Sequence, residues 1–417
     1  MKQARSRDVL VYADWEEFAE PVFVGTLSSD IVKAKEHFRF AYDETWLKSK
    51  FAQKIDPQLH LFEGEQHAED HTNFRSFLDS CPDRWGRLLM KRREAVIARQ
   101  ENRKPVVLHE IDYLLGVHDL FRMGALRFKL SIDGDFLDNN EKLAAPPISL
   151  LRDLEQACQK IETSNDLDDP DYLKWLYMLI APGSSLGGAR PKSCVVDTDG
   201  ALWIAKFPSN HDEVDIGAWE YVVYKLAQGA GINMSECRLE KFNSHHHTFL
   251  TKRFDRTLNS RLHFSSALTQ LGYYDGEYDA SYLELAQFLT EQGANTKHDL
   301  AELWRRIVFN IAVSNTDDHL RNHGFIYHSG GWLLSPAYDI NPVTPANGLH
   351  LNISDSDNSL DYDLAMEVID FFQLSYKEAV DIKNEVLKSV GQWQKVASEM
   401  GLSHADQQAM EPAFNLF

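Results

Sequence analysis

Residues 315–339 read NTDDHLRNHGFIYHSGGWLLSPAYD, and this stretch decides how the fold is interpreted. Asp317 and Asn322 are spaced as D-x-x-x-x-N, and Asp339 follows after a short apolar hairpin. Phosphotransferases use this order to place a base beside a hydroxyl nucleophile and to supply oxygen ligands for metal-bound ATP. Asp and Asn are also favoured in turns, so an acidic loop that only caps a helix is the alternative.

A helix is predicted immediately before this loop. Its apolar positions follow the i, i+3, i+4, i+7 pattern without a miss, at Leu300, Leu303, Trp304, Ile307, Val308 and Ile311. More helices are predicted over 365–417, where Ser403 and Asp406 are spaced as a capping box. The chain beyond Arg256 is therefore expected to be largely helical.

Residues 184–208, SSLGGARPKSCVVDTDGALWIAKFP, predict a Gly-rich loop and two strands joined by an Asp199-Gly200 turn. Alternation places Lys206 on one face with aliphatic residues, where a lysine either lies at a sheet edge or has a buried anionic partner. The next predicted helix carries Glu220 within its apolar stripe. Because an unpaired buried charge is costly, this favours a Lys206–Glu220 pair.

The loop GGARPK is neither the P-loop motif nor the G-x-G-x-x-G motif of kinases. Gly187 and Gly188 would let backbone amides approach phosphates, and Lys192 could add positive charge. An ordinary loop before a strand is the alternative interpretation.

Metal sites outside residues 315–339 are disfavoured. A second hairpin is predicted from 238–242 and 248–254, and its loop holds His245–His247. Adjacent histidines in a turn cannot easily converge on one ion, so a solvated loop is favoured. The four cysteines form no C-x-x-C pair and are expected to be buried small hydrophobic residues.

Composition indicates a globular chain of two or three domains. It has 417 residues, 43% of them apolar, and no apolar run approaches the roughly 20 residues of a membrane span. The amino terminus lacks the apolar region of a secretory signal, so we expect a cytoplasmic protein without membrane contact. The net charge of −20 disfavours direct binding to nucleic acid, and the basic run 91–93 is interpreted as a solvated helix face.

The first third predicts a compact α+β unit. Strands are predicted at 9–12 and 22–24, and a helix at 82–100. The polar, Pro-containing connection Asp133–Pro147 marks a candidate domain boundary. We therefore predict an accessory subdomain over 1–147, a small lobe over 148–255 and a helical large lobe over 256–417.

Several motifs together resemble the HipA family of serine/threonine kinase toxins from bacterial type II toxin–antitoxin modules. They are SSLGGARPK, AKFP, WEYVVYKLA, LTKRFDR, NTDDHLRNH and SPAYDINP, and the amino-terminal stretches FAYDETWL, DSCPDRWGRLLM and RMGALRF resemble that family's accessory region. The resemblance covers nearly the whole chain. It implies an α+β, bilobal protein-kinase-like fold with a mixed α/β small lobe, an all-helical large lobe and an amino-terminal accessory α+β subdomain.

The resemblance also assigns site residues. Asp317 would be the catalytic base, Asn322 and Asp339 would bind Mg²⁺, and Glu220 would hold Lys206. Ser185 would be autophosphorylated, with Ser184 as the second candidate. The residues that would bind ATP are Gly187, Gly188, Ala189, Lys192, Lys206, Lys252, Phe254 and His319.

The function that the resemblance implies is ATP- and Mg²⁺-dependent phosphorylation of a protein, with an aminoacyl-tRNA synthetase as a possible target. A helix-turn-helix antitoxin of the HipB type would be the partner and would make the DNA contacts. The loop D-x-H-x-x-N also permits a small-molecule or lipid kinase, and a catalytically silent binding module is a further alternative. Asp318 stands where the best-known family pattern has glycine, and we expect its side chain to face solvent rather than to recruit a cation.

Overall fold

The structure is a computed structural model that describes residues 6–33, 35–69, 73–140, 146–163, 171–180, 190–277, 279–328 and 330–416. The chain divides into two compact units. The first comprises Met1–Ala205 and Asp255–Ser265, and the second comprises Lys206–Phe254 and Ser266–Phe417. The boundary predicted near residue 147 lies inside the first unit, and the three-part division stays a prediction.

Strands and helices are interspersed along the first half of the chain. Residues 256–417 are mainly helical but also contain a three-stranded sheet, so the expectation of an all-helical large lobe was wrong. The strands are β1 (Ser6–Ala13), β2 (Val22–Val32), β3 (Lys35–Tyr42), β4 (Glu65–His67), β5 (Leu126–Lys129), β6 (Lys192–Val196), β7 (Leu202–Lys206), β8 (Cys237–Glu240), β9 (Thr248–Lys252), β10 (Phe264–Ser266), β11 (Gly324–His328) and β12 (Gly331–Leu334). The α-helices are α1 (Glu44–Leu47), α2 (Arg75–Asp79), α3 (Arg84–Gln100), α4 (Glu110–Leu115), α5 (Leu151–Thr163), α6 (Tyr172–Ile180), α7 (Ile216–Gly229), α8 (Ala267–Gln270), α9 (Tyr282–Gln292), α10 (Thr296–Val313), α11 (Tyr362–Glu367), α12 (Tyr376–Val390), α13 (Trp393–Glu399) and α14 (His404–Met410). Short 3₁₀ helices occupy Asp119–Phe121, Ile148–Leu150, Leu320–Asn322, Ile369–Phe372 and Glu411–Ala413.

The first unit contains a sheet with the strand order β4-β3-β2-β1-β5. Strand β1 is antiparallel to both β2 and β5, and its alternate residues Val9, Val11 and Ala13 are fully buried. Helix α3 begins where the Asp83 side chain accepts a hydrogen bond from the backbone N–H of Gly86 at 2.8 Å. The α+β character expected for the first third is therefore present.

Helix α10 forms the centre of the second unit. Its predicted apolar positions are fully buried, and the indole of Trp304 donates to the carbonyl of Ala365 at 3.0 Å. The helix ends at Ser314, whose φ of 50° is left-handed. A left-handed residue stops a helix and turns the chain, so the loop that starts at Asn315 leaves a rigid, buried support.

Helix α7 and the hairpin β8–β9 are joined at the helix amino terminus. Asp215 caps α7 by accepting from the N–H of Ala218 at 3.1 Å, and it also accepts from the N–H of His247 at 2.9 Å. The His247 Nδ1 lies 2.6 Å from the second Asp215 oxygen. Among the described residues no group of three His, Cys, Asp or Glu side chains is placed to hold a metal ion. His247 therefore anchors the hairpin loop to the helix.

Between Phe254 and Ser266 the chain returns to the first unit. Asp255 is fully buried and accepts from the backbone N–H of Gly124 at 2.8 Å and from Arg256 Nη1 at 2.6 Å. Arg261 Nη2 donates to Asp119 Oδ2 at 3.0 Å. Each of these charged side chains makes at least one hydrogen bond within the first unit, so the segment is an integral part of that unit.

The four cysteines are buried and unbridged, which confirms their predicted place in the interior. Within the described ranges we find no helix whose length and apolar content would let it cross a membrane.

His263 makes the stability of the first unit depend on pH. Its ring stacks on Trp15 with centroids 4.6 Å apart, and burial lowers its pKa to about 4. The unfolded chain, with a histidine pKa near 6.5, takes up a proton that the folded chain excludes as the pH falls from about 6.5 to about 4. We expect the free energy of unfolding to fall by about 3 kcal/mol across this window because of His263.

Urea unfolding of the parent and of His263→Phe at several pH values measures this contribution. The phenylalanine keeps the ring stack but cannot be protonated, so the two stability curves should diverge below about pH 6.5. Parallel curves would contradict the assignment.

Candidate active site

Lys206 lies between two carboxylates of the second unit. Its Nζ is 2.6 Å from Glu220 Oε1 and 2.5 Å from Asp339 Oδ1, and its side chain is 15% exposed. Burial alone would lower the pKa of Lys206, but Asp339 and Glu220 outweigh it and raise the pKa above its ordinary value. Lys206 therefore stays a cation, and it ties the end of β7 to α7 and to the Asp339 segment.

Asp339 has a left-handed backbone with a φ of 59°. Such a conformation is uncommon for a residue other than glycine, although Asp tolerates it better than most. Non-glycine residues in this region concentrate at functional sites, where the surrounding contacts hold them. The turn directs the Asp339 carboxylate toward Lys206.

In the D-x-x-x-x-N loop the Asp317 side chain is exposed to solvent and the Asn322 side chain is buried. Asp317 is exposed, whereas Asn322 is 4% exposed and ends the 3₁₀ turn Leu320–Asn322. Asn322 Nδ2 donates to the Asp317 carbonyl at 2.9 Å, which fixes the orientation of the amide. Its Oδ1 is buried and accepts no hydrogen bond from the residues that the structure describes. The loop therefore offers one solvent-facing carboxylate and one unused amide oxygen.

Asp318 does not face solvent, so that expectation was wrong. It is 3% exposed, and its Oδ2 accepts from Tyr282 Oη at 2.5 Å, Asn310 Nδ2 at 2.7 Å and His323 Nε2 at 2.9 Å. Burial alone would raise its pKa, but His323 and these hydrogen bonds hold the pKa below its usual range. Three donors on one oxygen compensate the loss of water, which is why the carboxylate can be internal.

His319 lies beside a histidine that the sequence did not single out. The His319 and His350 rings are 5.7 Å apart at their centroids and nearly perpendicular. Burial first, and then the neighbouring His319, lowers the pKa of His350, although Asp317 and Asp318 act against this. The imidazole of His350 therefore belongs to the surroundings of Asp317.

The predicted adenine-hinge residues lie in and just after β9. The Phe254 ring stacks on Tyr338 with centroids 5.4 Å apart, one residue before Asp339. Lys252 Nζ lies 3.8 Å from Glu236 Oε2 at a partly exposed position. The aromatic stack brings the end of this strand next to the Asp339 segment, and contact of Lys252 and Phe254 with ATP stays a prediction.

The predicted phosphate loop up to Ala189 lies outside the described residues. Ser184, Ser185, Gly187, Gly188 and Ala189 all belong to that part of the chain. Their roles stay predictions from the sequence.

Lys192 is described and lies in the first unit. It is 6% exposed, and its Nζ contacts Asp83 Oδ2 at 2.8 Å. This ion pair joins β6 to the residue that caps α3. Contact of Lys192 with phosphate stays a prediction.

The oxygen atoms present fit Mg²⁺. Magnesium prefers carboxylate and amide oxygens and usually retains several waters. Asn322 Oδ1 and the Asp339 carboxylate supply such atoms, and Asn341 Oδ1 is a further buried oxygen that accepts no hydrogen bond within the described ranges. Buried polar atoms without partners are rare in proteins, so these two oxygens indicate room for a ligand.

Sequence reasoning missed six residues of this site: Tyr282, Asn310, Asn315, His323, Asn341 and His350. Three of them lie within two residues of a predicted site residue, so their proximity was a usable signal. Tyr282 and Asn310 lie on helices, and nothing in their spacing points to Asp318.

A family model and several proteins match this chain. The model described as "HipA-like C-terminal domain" matches residues 184–408, more than half of the chain. "Putative kinase Y4dM" of Sinorhizobium fredii is 29% identical over 160 residues, which are 35% of this chain and 38% of that protein. A "Putative kinase" of Haemophilus influenzae is 26% identical over 186 residues, which are 39% of this chain and 54% of that protein. The matches thus span less than two thirds of these curated relatives.

One solved structure extends over both units. It is the toxin–antitoxin system HipA, HipB and operator DNA complex of Shewanella oneidensis MR-1, with a TM-score of 0.65 and 18% sequence identity. The superposition covers 97% of this chain and 94% of that chain. At this identity the likeness concerns the fold, and the predicted α+β kinase-like fold is confirmed.

Truncation of Asp318 should destabilise the protein far more than truncation of its neighbour Asp317. Asp318→Ala leaves three buried donors without their acceptor, so we expect the free energy of unfolding to fall by about 3 kcal/mol. Asp317→Ala removes an exposed carboxylate and should change stability by at most about 0.5 kcal/mol. Urea unfolding of both variants tests the contrast, and equal stability of the two would refute the burial of Asp318.

Proposed function

This chain belongs to the HipA-like C-terminal domain family, and from that premise we propose that it is an ATP- and Mg²⁺-dependent serine/threonine protein kinase. The observation that carries the proposal is the placement of Lys206 between Glu220 and Asp339, in the unit that also carries the Asp317–Asn322 loop. A buried, charged lysine with a helical glutamate and a metal-ligand aspartate is the arrangement by which kinases neutralise ATP phosphates.

Lys206, Glu220 and Asp317 each have a chemical task in this proposal. Lys206 offsets negative charge on the α- and β-phosphates, and Glu220 holds the lysine in place. The exposed Asp317 accepts the proton of a serine or threonine hydroxyl of the substrate. The oxygen of that hydroxyl forms a bond to the γ-phosphorus. The bond from that phosphorus to the β,γ-bridging oxygen breaks, and ADP leaves with the electron pair.

Asn322 and Asp339 are the residues that would hold Mg²⁺. When bound, the ion offsets charge on the transferred phosphoryl group. Asn322 already has its amide oriented by the bond to the Asp317 carbonyl, and its free oxygen points away from that bond. The residue thus needs no rearrangement of its own hydrogen bonds in order to ligate.

Nucleotide contacts outside the second unit's loops rest on the family resemblance. We propose that Gly187, Gly188 and Ala189 cover the phosphates through backbone amides, with positive charge from Lys192, and that Phe254 flanks the adenine. Lys252 would accompany Phe254 at this hinge, and His319 would contact the phosphates from the Asp317 loop.

The targets and partners are likewise part of the proposal. We propose a protein substrate, with an aminoacyl-tRNA synthetase as the first candidate, and a helix-turn-helix antitoxin of the HipB type as the partner. The structural neighbour was solved with HipB and operator DNA. The net charge of −20 suits a chain that reaches DNA only through another protein.

Asp317→Asn tests catalysis, because the amide keeps the shape of the carboxylate but cannot act as the base. We expect γ-phosphate transfer to fall by several orders of magnitude, about 10³-fold or more, with stability unchanged. The measurement is transfer of labelled phosphate from ATP to casein and to the protein itself. Asp381→Asn, an exposed exchange on α12, is the matched control and should behave as the parent.

Quantitative phosphoproteomics of cells that express the parent or Asp317→Asn would then name the target. If Asp317→Asn arrests growth as strongly as the parent, catalysis is not the cause of the arrest. That outcome would support a binding module. Labelling of lipids or small metabolites, with no labelled protein, would support a small-molecule kinase instead.

Ser185→Ala tests self-inactivation. Because Ser185 occupies the family's autophosphorylated position, its loss should abolish the phosphate that the parent acquires with ATP and Mg²⁺, and activity should persist for longer. Intact mass and peptide mapping over a time course measure both effects, with Ser184→Ala as the matched control. Phosphate retained at full level in Ser185→Ala but lost in Ser184→Ala would move the site to the second candidate.

A further inference from the structure

A chain of buried side-chain amides connects the Asp317 loop with the Asp339 segment. Asn310 Nδ2 donates to Asp318 Oδ2 at 2.7 Å, and Asn315 Nδ2 donates to Asn310 Oδ1 at 3.1 Å. The backbone N–H of Asn341 donates to Asn315 Oδ1 at 3.3 Å. We call Asn310, Asn315 and Asn341 the amide relay.

The direction of every amide in the relay is fixed. Asp318 is a carboxylate and can only accept, so Asn310 must turn its NH₂ group toward it and its oxygen toward Asn315. Asn315 must then turn its NH₂ group toward Asn310, which leaves its oxygen for the N–H of Asn341. The Asn341 side chain in turn directs Nδ2 toward Asp339 Oδ1 at 3.4 Å. No amide can be reversed without the loss of a hydrogen bond.

The helix end does not need these side chains for its own structure. The backbone N–H of Asn315 already donates to the carbonyl of Asn310 at 2.9 Å, and Ser314 supplies the left-handed turn. The amides of Asn310 and Asn315, each 1% exposed, instead make hydrogen bonds with Asp318 and with Asn341. These contacts lead to the two segments that carry the base and a metal ligand.

We propose that Asn310 and Asn315 are positioning residues that hold the Asp317 loop and the Asp339 segment in one mutual geometry. This inference rests on the proposed function, because it assigns the two segments a shared reaction. A base and a metal ligand that move independently would spend little time in the productive arrangement, and a misplacement of about 1 Å is enough to cost about 100-fold in rate.

Asn315→Ala is the main test because it removes both relay contacts at once. We expect the rate of phosphate transfer from ATP to casein to fall about 100-fold, while the KM for ATP changes by less than about 3-fold. The affinity for Mn²⁺ together with a non-hydrolysable ATP analogue, measured by electron paramagnetic resonance, should weaken about 10-fold, since Asp339 is less well held. Asn384→Ala, an exposed change on α12, is the matched control.

Asn315→Asp distinguishes the loss of a relay hydrogen bond from the loss of side-chain volume. It is also the variant to measure if Asn315→Ala does not fold. The aspartate has the same shape and still accepts from Asn341, but it cannot donate to Asn310. We therefore expect the rate to fall while Mn²⁺ affinity stays within about 3-fold of the parent, because the Asp339 end of the relay is preserved. Parental values of both quantities in this variant would contradict the relay.

A double-mutant cycle completes the test. If Asn310 and Asn315 act as one unit, Asn310→Ala combined with Asn315→Ala should reduce the rate little more than the worse single variant. Additive losses would overturn the proposal, as would a folded Asn315→Ala protein with parental rate and Mn²⁺ affinity. A parent that transfers no phosphate would refute the proposed function instead, and Mn²⁺ binding would still decide whether the relay orders the Asp339 segment.

Discussion

The ammonium of Lys206 is the group on which the candidate site depends. It is largely shielded from solvent, with Glu220 on one side and Asp339 on the other, and each partner comes from a different element. Removing one charge from such a cluster leaves the others desolvated and unpaired. The resulting loss of stability is far larger than the stabilisation that an exposed ion pair provides. The three elements are thus bound to one geometry, and the left-handed turn at Asp339 can be held there.

Two adjacent aspartates show how one loop serves two tasks. Asp317 is exposed and can meet a substrate, whereas Asp318 is buried and receives three hydrogen bonds on one oxygen. The inward carboxylate therefore fixes the backbone from which the outward one projects, and rigid support of this kind is what a functional group on a loop requires.

The sequence predicted the parts of this site that follow a periodic pattern or a motif. Helix α10, Glu220 on the inward face of α7, and the hairpin between Asn322 and Asp339 were all deduced from spacing, and the structure has them. Asp318 was predicted to face solvent rather than to recruit a cation. Its partners Tyr282 and Asn310 come from separate helices, and no local pattern reports that two helices will meet at one carboxylate. What the sequence could not supply was this tertiary compensation of charge.

In the proposed function, the balance of charge would make this site bind a cation before it accepts a nucleotide. Glu220, Asp317 and Asp339 are carboxylates, and Lys206 is already shared by two of them. An ATP molecule alone would bring its phosphates toward unneutralised carboxylates, and at short distances in a partly buried site that repulsion is large. Oxygen ligands with an excess of negative charge instead suit a divalent cation. In the proposed function, the same excess that repels bare phosphate would favour the metal-bound nucleotide, and Asn322, as a neutral ligand, would supply coordination without adding to it.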